Sequence, residues 1–192
     1  MQSEGILIVD YGSQVTQNMA SRIRNLGYYT EIIDPEDVNE KTLENCLAVF
    51  NMGGPDSVYN TDSPQPSEDL IKAWANPIIP KLNTCYSHQL DAHLFGGEVG
   101  SGVAGEYDVV EMKLLKNSPV FKNLESKQQV QMNHGDQVTK LPPGAELIAS
   151  TKITPIAAYV VPERQSVNFQ FHSEVSDTEH GIEMINNFLK EY

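Results

Sequence analysis

The fold of this chain is decided at residues 80–92, which read PKLNTCYSHQLDA. An apolar run at residues 77–79 leads into this stretch and a helix-compatible pattern at residues 89–95 leads out of it, so Cys85 is expected at a sharp turn from a strand into a helix. A nucleophile on such a turn stands above the sheet edge, and the helix N-terminus behind it favours its thiolate. A buried, unreactive cysteine is the alternative interpretation of this residue taken alone.

The chain before this turn alternates between strands and helices. Residues 5–10 form a short apolar run that ends in Asp10, and such a continuous apolar strand is typical of burial on both faces of a parallel sheet. Helical spacing follows over residues 15–26 and ends at Gly27, and residues 28–33 are typical of a second strand. This β-α-β order favours an α/β fold with a mostly parallel, open sheet, flavodoxin-like, and helices on both faces.

The chain after the turn carries more strands than helices. Residues 107–115 alternate in polarity, which is typical of a strand in a less buried, antiparallel part of a sheet. Residues 133–136 are predicted to form a polar loop, and residues 166–171 are predicted to form the last strand. A capping box at residues 176–179 is expected to open a closing helix with Ile182 on its core face. We therefore expect a smaller antiparallel part beside the parallel sheet.

Composition and charge exclude several kinds of partner. The chain has 192 residues, enough for one domain with a substantial core, and a net charge of -13. Such an acidic surface repels a phosphate backbone, so we expect no nucleic-acid partner. The sequence shows neither a signal peptide nor a long apolar segment, so we expect no membrane contact and a cytoplasmic location. Cys46 and Cys85 lack metal-ligand spacing, which predicts no metal site.

Three groups of residues are predicted to meet at one edge of the sheet. The glycine pair Gly53 and Gly54 follows a buried strand at residues 46–50, Cys85 follows the next, and His172 follows the last. Because the carboxyl ends of parallel strands share an edge, these groups are expected to lie close together despite their separation in sequence. Each group alone also has a structural interpretation, as a tight turn, a buried thiol or a hydrogen-bonded histidine.

Together these residues favour acyl transfer from an amide or ester through a thioester. His172 is the candidate to take the thiol proton, and Glu174, two residues on, is the candidate to orient its imidazole. The backbone amides of Gly54 and Tyr86 are the candidates to receive a developing oxyanion. His88 lies one helical turn past the cysteine but is expected to point away from the thiol, so it is not the predicted base.

The motifs at these positions resemble those of the class I (triad) glutamine amidotransferases, over nearly the whole chain. The matching stretches are ILIVDYGSQ at residues 6–14, GGP at residues 53–55, CYSHQ at residues 85–89, NHGD at residues 133–136 and QFHSE at residues 170–174. A further stretch, DTEHG at residues 177–181, resembles the GMP synthase branch of that family rather than the anthranilate or aminodeoxychorismate synthase branches.

The resemblance implies hydrolysis of L-glutamine to glutamate and ammonia. Cys85 would attack the side-chain amide, His172 would protonate the departing ammonia, Glu174 would complete the triad, and water would release glutamate from the thioester. By motif position, the residues that would contact glutamine are Gly53, Gly54, Gln89, Asn133 and His134.

The resemblance also implies a partner for the ammonia. It would pass to a synthetase that makes GMP from XMP and ATP, on a partner subunit or on a missing domain. Residues 1–192 are expected to form a single glutaminase domain, because the sequence holds no SGGxDS pyrophosphatase loop. ATP and magnesium are therefore expected only on the synthetase, and no cofactor is expected in this chain.

The chain departs from the family pattern around the turn at residues 83–87, which we call the elbow. The family elbow is Gly-x-Cys-x-Gly, because the tight turn brings backbones close and leaves little room for a Cβ. The replacements are Asn83 and Ser87 for the elbow glycines, Lys81 for a buried apolar residue, Asn168 for a glycine, Ser173 for a proline and Met52 for a serine.

These departures leave three hypotheses open. The first is a working but retuned glutaminase, which the retention of Cys85, His172 and Glu174 favours. The second is a degenerate copy with weak or no activity that acts as a binding or regulatory module. The third is the amidotransferase subunit of another synthase, of the anthranilate or aminodeoxychorismate type.

Overall fold

The computed structural model describes residues 4–192, with the backbone alone for residues 101–104. The strands are β1 Gly5–Val9, β2 Thr30–Ile33, β3 Cys46–Asn51, β4 Lys81–Thr84, β5 Glu98–Glu106, β6 Val109–Leu114, β7 Lys127–Gln131, β8 His134–Lys140, β9 Glu146–Ser150, β10 Ala158–Val161 and β11 Ser166–Phe169. The helices are α1 Thr16–Asn25, α2 Glu40–Leu43, α3 Glu68–Ala75, α4 Tyr86–Leu94 and α5 Gly181–Glu191. Over the described range, no helix is long and apolar enough to cross a membrane.

The strands form one large mixed sheet and one small sheet. The large sheet has the order β2-β1-β3-β4-β11-β10-β9-β6-β7. Its strands from β2 to β11 pair in parallel, whereas β10, β9, β6 and β7 continue the sheet with antiparallel pairings. Strands β5 and β8 form a separate antiparallel pair. The predicted α/β fold is confirmed, and its antiparallel part extends about as far as its parallel part.

Helices cover both faces of the parallel strands because their residues are apolar on both sides. Ile6 and Ile8 of β1 belong to a core cluster with α1 and α5. The alternate residues Leu7 and Val9 belong to a second cluster with α3 and α4. Since successive side chains of a strand point to opposite faces, these two clusters lie on the two sides of the sheet.

Two local predictions before and within the site region are wrong. The apolar run at residues 77–79 does not continue into the strand but forms a turn, and Ile78 is 80% exposed. Residues 133–136 are not a loop, because β8 begins at His134 and pairs with β5. In both cases long-range pairing sets the strand boundary, which local hydrophobicity does not reveal.

The predicted capping box at the closing helix is also wrong. Helix α5 begins at Gly181, after His180 in a left-handed conformation with φ of 55°, and Ile182 is 44% exposed. The Thr178 hydroxyl instead accepts a hydrogen bond from the Gln131 backbone N–H at 3.0 Å. The Glu179 carboxylate likewise accepts one from the backbone of β7. Both side chains therefore tie the segment before α5 to β7 rather than capping the helix.

The buried face of α4 carries a carboxylate that links several elements. Asp91 is fully buried and accepts hydrogen bonds from Trp74 Nε1 at 2.8 Å and Tyr159 OH at 2.9 Å. It also pairs with both terminal nitrogens of Arg164, at 2.7 and 2.9 Å, and accepts a hydrogen bond from Ser166 Oγ at 3.3 Å. This carboxylate therefore ties α4 to α3, β10 and β11.

A lysine is buried near this carboxylate. Lys81, at the start of β4, is 1% exposed, and its Nζ donates to the backbone carbonyls of Asn76 and Arg164. Burial and the Arg164 guanidinium lower the pKa of Lys81 to about 7, against the opposing effect of Asp91. The buried apolar residue expected here from the family pattern is thus replaced by an ammonium held on two carbonyls.

We predict that Asp91→Ala destabilises the fold strongly. Removing the carboxylate leaves Arg164 as an uncompensated charge, so the free energy of unfolding should fall by about 3–5 kcal/mol. Urea denaturation measures the loss. Glu98→Ala is the matched control, because Glu98 and Lys140 form an ion pair with both side chains more than 60% exposed, and exposed pairs contribute about 0–1 kcal/mol. An equal loss in both variants would contradict the role of Asp91.

We also predict a pH-dependent contribution from Lys81. Because its pKa is about 7 in the folded state and 10.5 for the unperturbed side chain, the unfolded chain holds a proton between these values that the folded chain has lost. Its contribution to stability therefore rises with pH across this window and is lost as pH falls toward 7.

The difference in unfolding free energy between wild type and Lys81→Met isolates this contribution. It should increase in favour of the wild type by about 2 kcal/mol between pH 7 and pH 9. Comparison with the variant is needed because the raised pKa of His172 makes its own contribution fall over the same range. A difference that stays constant with pH would show that Lys81 does not titrate in this window.

Candidate active site

The predicted strand-to-helix turn at Cys85 is confirmed. Cys85 lies between β4 and α4 with φ of 53° and ψ of -105°, a conformation that costs energy for any residue other than glycine. Its N–H donates to the Phe169 carbonyl of β11 at 2.8 Å, and its carbonyl accepts from Gln89 N–H at 3.2 Å. The surrounding hydrogen bonds thus hold the turn in its strained conformation.

Ser87 replaces the second elbow glycine without disturbing the turn. Its Oγ accepts a hydrogen bond from the Thr84 N–H at 2.7 Å and lies 2.6 Å from the Asn51 carbonyl, to which it donates. The side chain is fully buried. The hydroxyl therefore bridges the turn to the neighbouring strand β3.

The His172 ring is fixed by Glu174 on the loop after β11. His172 Nδ1 lies 2.8 Å from Glu174 Oε1, and the Glu174 side chain is fully buried. The His172 backbone is held at both ends, since its N–H donates to Gln131 O at 3.0 Å and its carbonyl accepts from Thr178 Oγ1 at 2.5 Å. Nε2 makes no hydrogen bond within the described residues.

The surroundings of His172 favour its protonated form. Burial by itself would lower the pKa of the imidazole. The charge of Glu174 and the interactions of the ring with Cys85 and Glu174 outweigh burial, so the pKa of His172 lies well above its usual value. The site can therefore hold an imidazolium beside the sulfur at neutral pH.

The two glycines of the pair differ in whether a side chain would fit. A Cβ at Gly53 would lie 3.4 Å from Cys85 Cβ and 3.5 Å from His172 Cε1, which is ordinary van der Waals contact, so Gly53 lies next to both side chains. A Cβ at Gly54 would lie 2.5 Å from the Tyr11 carbonyl, which only glycine allows. The N–H groups of Gly54 and Tyr86 donate no hydrogen bond to other described residues.

One neighbour of the sulfur was not singled out from the sequence. Gln170 is fully buried, and its Nε2 lies 3.7 Å from Cys85 Sγ. Its Oε1 accepts a hydrogen bond from Gln89 Nε2 at 3.1 Å. The sulfur also lies 3.7 Å from the Asn133 carbonyl. Gln170 lies in the QFHSE stretch, two residues before His172. This short separation is the one feature of the sequence that could have indicated Gln170 as a residue of the site.

Two cavities meet at Cys85 and share Gly54 and Asn133 in their linings. The first, of about 470 Å³, is also lined by Gln89 and Asp136, and we call it the Gln89 cavity. The second, of about 380 Å³, is lined by His172, Gln131, Val175 and residues 12–15, and we call it the His172 cavity. The sulfur is therefore reached from two sides, one beside the candidate substrate residues and one beside the histidine.

The other candidate substrate residues differ in what they offer a ligand. Gln89 Nε2 donates to the Asp136 carbonyl at 2.8 Å, so its Oε1 is the part left for a ligand. The His134 ring nitrogens contact the Asp136 carbonyl at 2.9 Å and Thr154 Oγ1 at 3.3 Å. Since both nitrogens are occupied, a ligand contact from His134 would fall to its backbone.

Two other side chains with titratable groups, His88 and Cys46, take no part in this arrangement. His88 is fully buried with its ring against Tyr159, 4.9 Å between ring centroids, and burial lowers its pKa to about 3. Cys46 lies at the opposite end of β3, and burial raises the pKa of its thiol to about 11. Among residues with described side chains, no cluster of His, Cys, Asp or Glu is arranged to hold a metal ion.

The fold and the arrangement around Cys85 define a class of protein. The family model described as glutamine amidotransferase class-I matches residues 7–192. The chain belongs to the class I glutamine amidotransferase family.

Within that family, the chain is similar to GMP synthases. It is 38% identical over 190 residues to GMP synthase (glutamine-hydrolyzing) of Petrotoga mobilis, which covers 97% of this chain and 36% of that protein. It is 39% identical over 191 residues to the protein of the same name from Fusobacterium nucleatum, covering 98% and 36%. This chain thus spans little more than a third of the length of these relatives.

A solved structure of similar size shows the same fold. A putative GMP synthase subunit from Thermoplasma acidophilum superimposes with a TM-score of 0.83 at 25% sequence identity. The superposition covers 96% of this chain and 92% of that one. The predicted family and the predicted similarity to GMP synthases are therefore confirmed.

We predict that Cys85 is the reactive thiol of the two cysteines. Because the raised pKa of His172 keeps an imidazolium beside the sulfur of Cys85, iodoacetamide at pH 7 should alkylate Cys85 at least about ten times faster than Cys46, whose thiol stays protonated. Mass spectrometry of the two cysteine peptides measures both rates in one sample.

Replacing His172 tests whether the reactivity of Cys85 depends on the imidazole or only on the position of the sulfur in the fold. His172→Asn should slow alkylation of Cys85 by about ten-fold while leaving the rate at Cys46 unchanged, since the sulfur of Cys85 loses its neighbouring imidazolium. If Cys46 reacts first, or if His172→Asn leaves the rate at Cys85 unchanged, the assignment of the activated thiol is wrong.

Proposed function

We propose that this chain hydrolyses L-glutamine to glutamate and ammonia through a thioester on Cys85. The observation that carries the proposal is a His172 ring fixed on Glu174 with its Nε2 unbonded, lining the same cavity as Cys85. A thiol, a base and an acid that orients the base form the arrangement that cysteine-dependent acyl transfer requires.

The Gln89 cavity supports binding of the glutamine. Its lining combines the Gln89 amide, the Asp136 segment and the Asn133 backbone, which suits an amino acid with several polar groups. With the glutamine side chain directed at the sulfur, the amide carbon lies next to Cys85, and its oxygen faces the unbonded amides of Gly54 and Tyr86.

The steps follow from these positions. The Cys85 thiolate attacks the amide carbon and forms a carbon–sulfur bond, while the carbonyl oxygen becomes an oxyanion held by the two amides. The His172 imidazolium donates its Nε2 proton to the leaving nitrogen, which departs as ammonia. His172 then takes a proton from water, the water attacks the thioester, and glutamate and the Cys85 thiol are released.

We propose further that residues 1–192 act as a single glutaminase domain whose ammonia serves a synthetase. The curated relatives bear the name GMP synthase (glutamine-hydrolyzing) and are much longer than this chain. Their name supports a synthetase that forms GMP, on a partner subunit or another domain, and from the family resemblance we propose that it combines the ammonia with XMP and ATP. ATP and magnesium belong to that synthetase, and the chemistry at Cys85 needs no cofactor.

We predict that the purified chain, incubated with L-glutamine, produces glutamate. Cys85→Ala should lower the rate by at least about 10³-fold, because the nucleophile is removed. Cys46→Ala is the matched control and should keep the wild-type rate, since Cys46 lies at the opposite end of β3. The rate is measured alone and with the synthetase part of a GMP synthase present, together with XMP and ATP.

The outcomes separate the three hypotheses. No glutamate under either condition, and no labelling of Cys85 by a glutamine-like chloroketone, would overturn the proposed activity and leave a binding module. Glutamate production that the synthetase part neither stimulates nor converts into GMP would instead overturn the assignment of the partner.

A further inference from the structure

Three asparagines stand side by side across the strands that carry the site. Asn51 of β3 is in register with Asn83 of β4, and Asn83 is in register with Asn168 of β11. All three side chains are fully buried. We call these three residues the asparagine ladder. Nothing in the chemistry at Cys85 described above uses them.

The ladder is a continuous chain of hydrogen bonds. Asn51 Nδ2 donates to Asn83 Oδ1 at 2.8 Å, and Asn83 Nδ2 donates to Asn168 Oδ1 at 2.7 Å. Ser166 Oγ closes the end of the chain, lying 3.1 Å from Nδ2 of both Asn83 and Asn168. The middle residue, Asn83, is thus bonded on both sides, so Asn51 Nδ2 and Asn168 Oδ1 both lose their partner without it, whereas Asn51 Oδ1 has no partner among the described residues.

Each ladder residue lies just before one part of the site. Asn51 precedes the glycine pair by two residues, Asn83 precedes Cys85 by two residues, and Asn168 precedes His172 by four. The Asn51 carbonyl also accepts the Ser87 hydroxyl from the first turn of α4. A shift of one of these strands against its neighbour therefore moves the oxyanion amides, the sulfur or the imidazole relative to the others.

Buried amides resist such a shift more strongly than apolar side chains do. A buried donor or acceptor that loses its partner costs its full desolvation penalty, whereas apolar contacts tolerate sliding. Catalytic geometry is lost with displacements of about 1 Å. A hydrogen-bonded chain across three strands can therefore fix the relative positions of three catalytic segments.

We propose that the asparagine ladder is a positioning device that sets Cys85, His172 and the glycine pair relative to one another. Its members depend on one another, because each holds the donor or acceptor of the next. This proposal rests on the proposed glutaminase activity.

The test is a double-mutant cycle on kinetics. Asn83→Ala and Asn168→Ala, which keep the Cβ and remove only the side-chain amide, should each lower kcat by about ten-fold or more while KM changes by less than about three-fold, because the ladder fixes the reacting groups and does not line the Gln89 cavity. The double variant should lose no more than about three-fold beyond the worse single variant, because both changes break the same chain of bonds.

The matched control is Ser67→Ala, which removes two part-buried hydrogen bonds at the start of α3, to the Val38 carbonyl and from the Leu70 N–H, away from the three strands and from Ser166. Urea denaturation first establishes that the variants compared are folded and similarly destabilised. The control should keep kcat within about three-fold of the wild type, since it alters stability without displacing the catalytic segments. A ladder variant that behaves like the control, or single effects that multiply in the double variant, would overturn the positioning role.

A second measurement separates this proposal from the proposed activity. Alkylation of Cys85 by iodoacetamide depends on the sulfur and its neighbouring imidazole and requires no glutamine. Ladder variants should slow this alkylation, and Ser67→Ala should not. If the wild type makes no glutamate but this difference persists, the proposed activity fails and the positioning role stands. If the ladder variants alkylate at the wild-type rate, the positioning role fails.

Discussion

The strained backbone at Cys85 is the constraint on which the rest of the site depends. A residue with a Cβ at φ of 53° is unfavourable on its own, so the surrounding structure must supply the energy that holds it there. Strand β11 supplies it through the Phe169 carbonyl, and the first turn of α4 supplies it through Ser87. Holding this turn places the sulfur where β4 ends and α4 begins, within reach of groups carried on β3 and on the loop after β11.

The two faces of the sheet are packed on different principles. The face covered by α1 and α5 is an apolar core with stacked rings, such as Phe169 and Phe171 at 4.5 Å between centroids. The face beneath α4 also holds buried polar groups, from Lys81 and Asp91 to Gln170. Directional bonds restrict geometry more tightly than apolar contacts, although each leaves a penalty if its partner is lost. The candidate active site lies on the face beneath α4, where directional hydrogen bonds restrict the geometry more tightly.

Much of this structure could be predicted from the sequence because its signals are local. Apolar runs mark the central strands, and the short motifs around Cys85 and His172 identify the family within a few residues each. The prediction that Thr178 belongs to a helix cap was wrong because its hydroxyl accepts a hydrogen bond from Gln131, 47 residues away. The hydrogen-bond partners of Asn83 could not be predicted from the sequence either, since Asn51 and Asn168 lie next to it only because their strands pair. The sequence marked Asn83 as unusual but carried no local sign of what would satisfy its amide.

The meeting of two cavities at Cys85 has a consequence for the order of events at the sulfur. Under the proposed chemistry the glutamyl group fills the Gln89 cavity until the thioester breaks, so traffic to and from the sulfur is confined to the His172 cavity. Ammonia must leave by the same passage through which the hydrolytic water enters. A protein bound over residues 12–15 and Val175 would therefore affect both movements. If it slowed the exit of ammonia, it would also slow the entry of water. The rate of glutamate release would then be coupled to the rate at which ammonia is transferred.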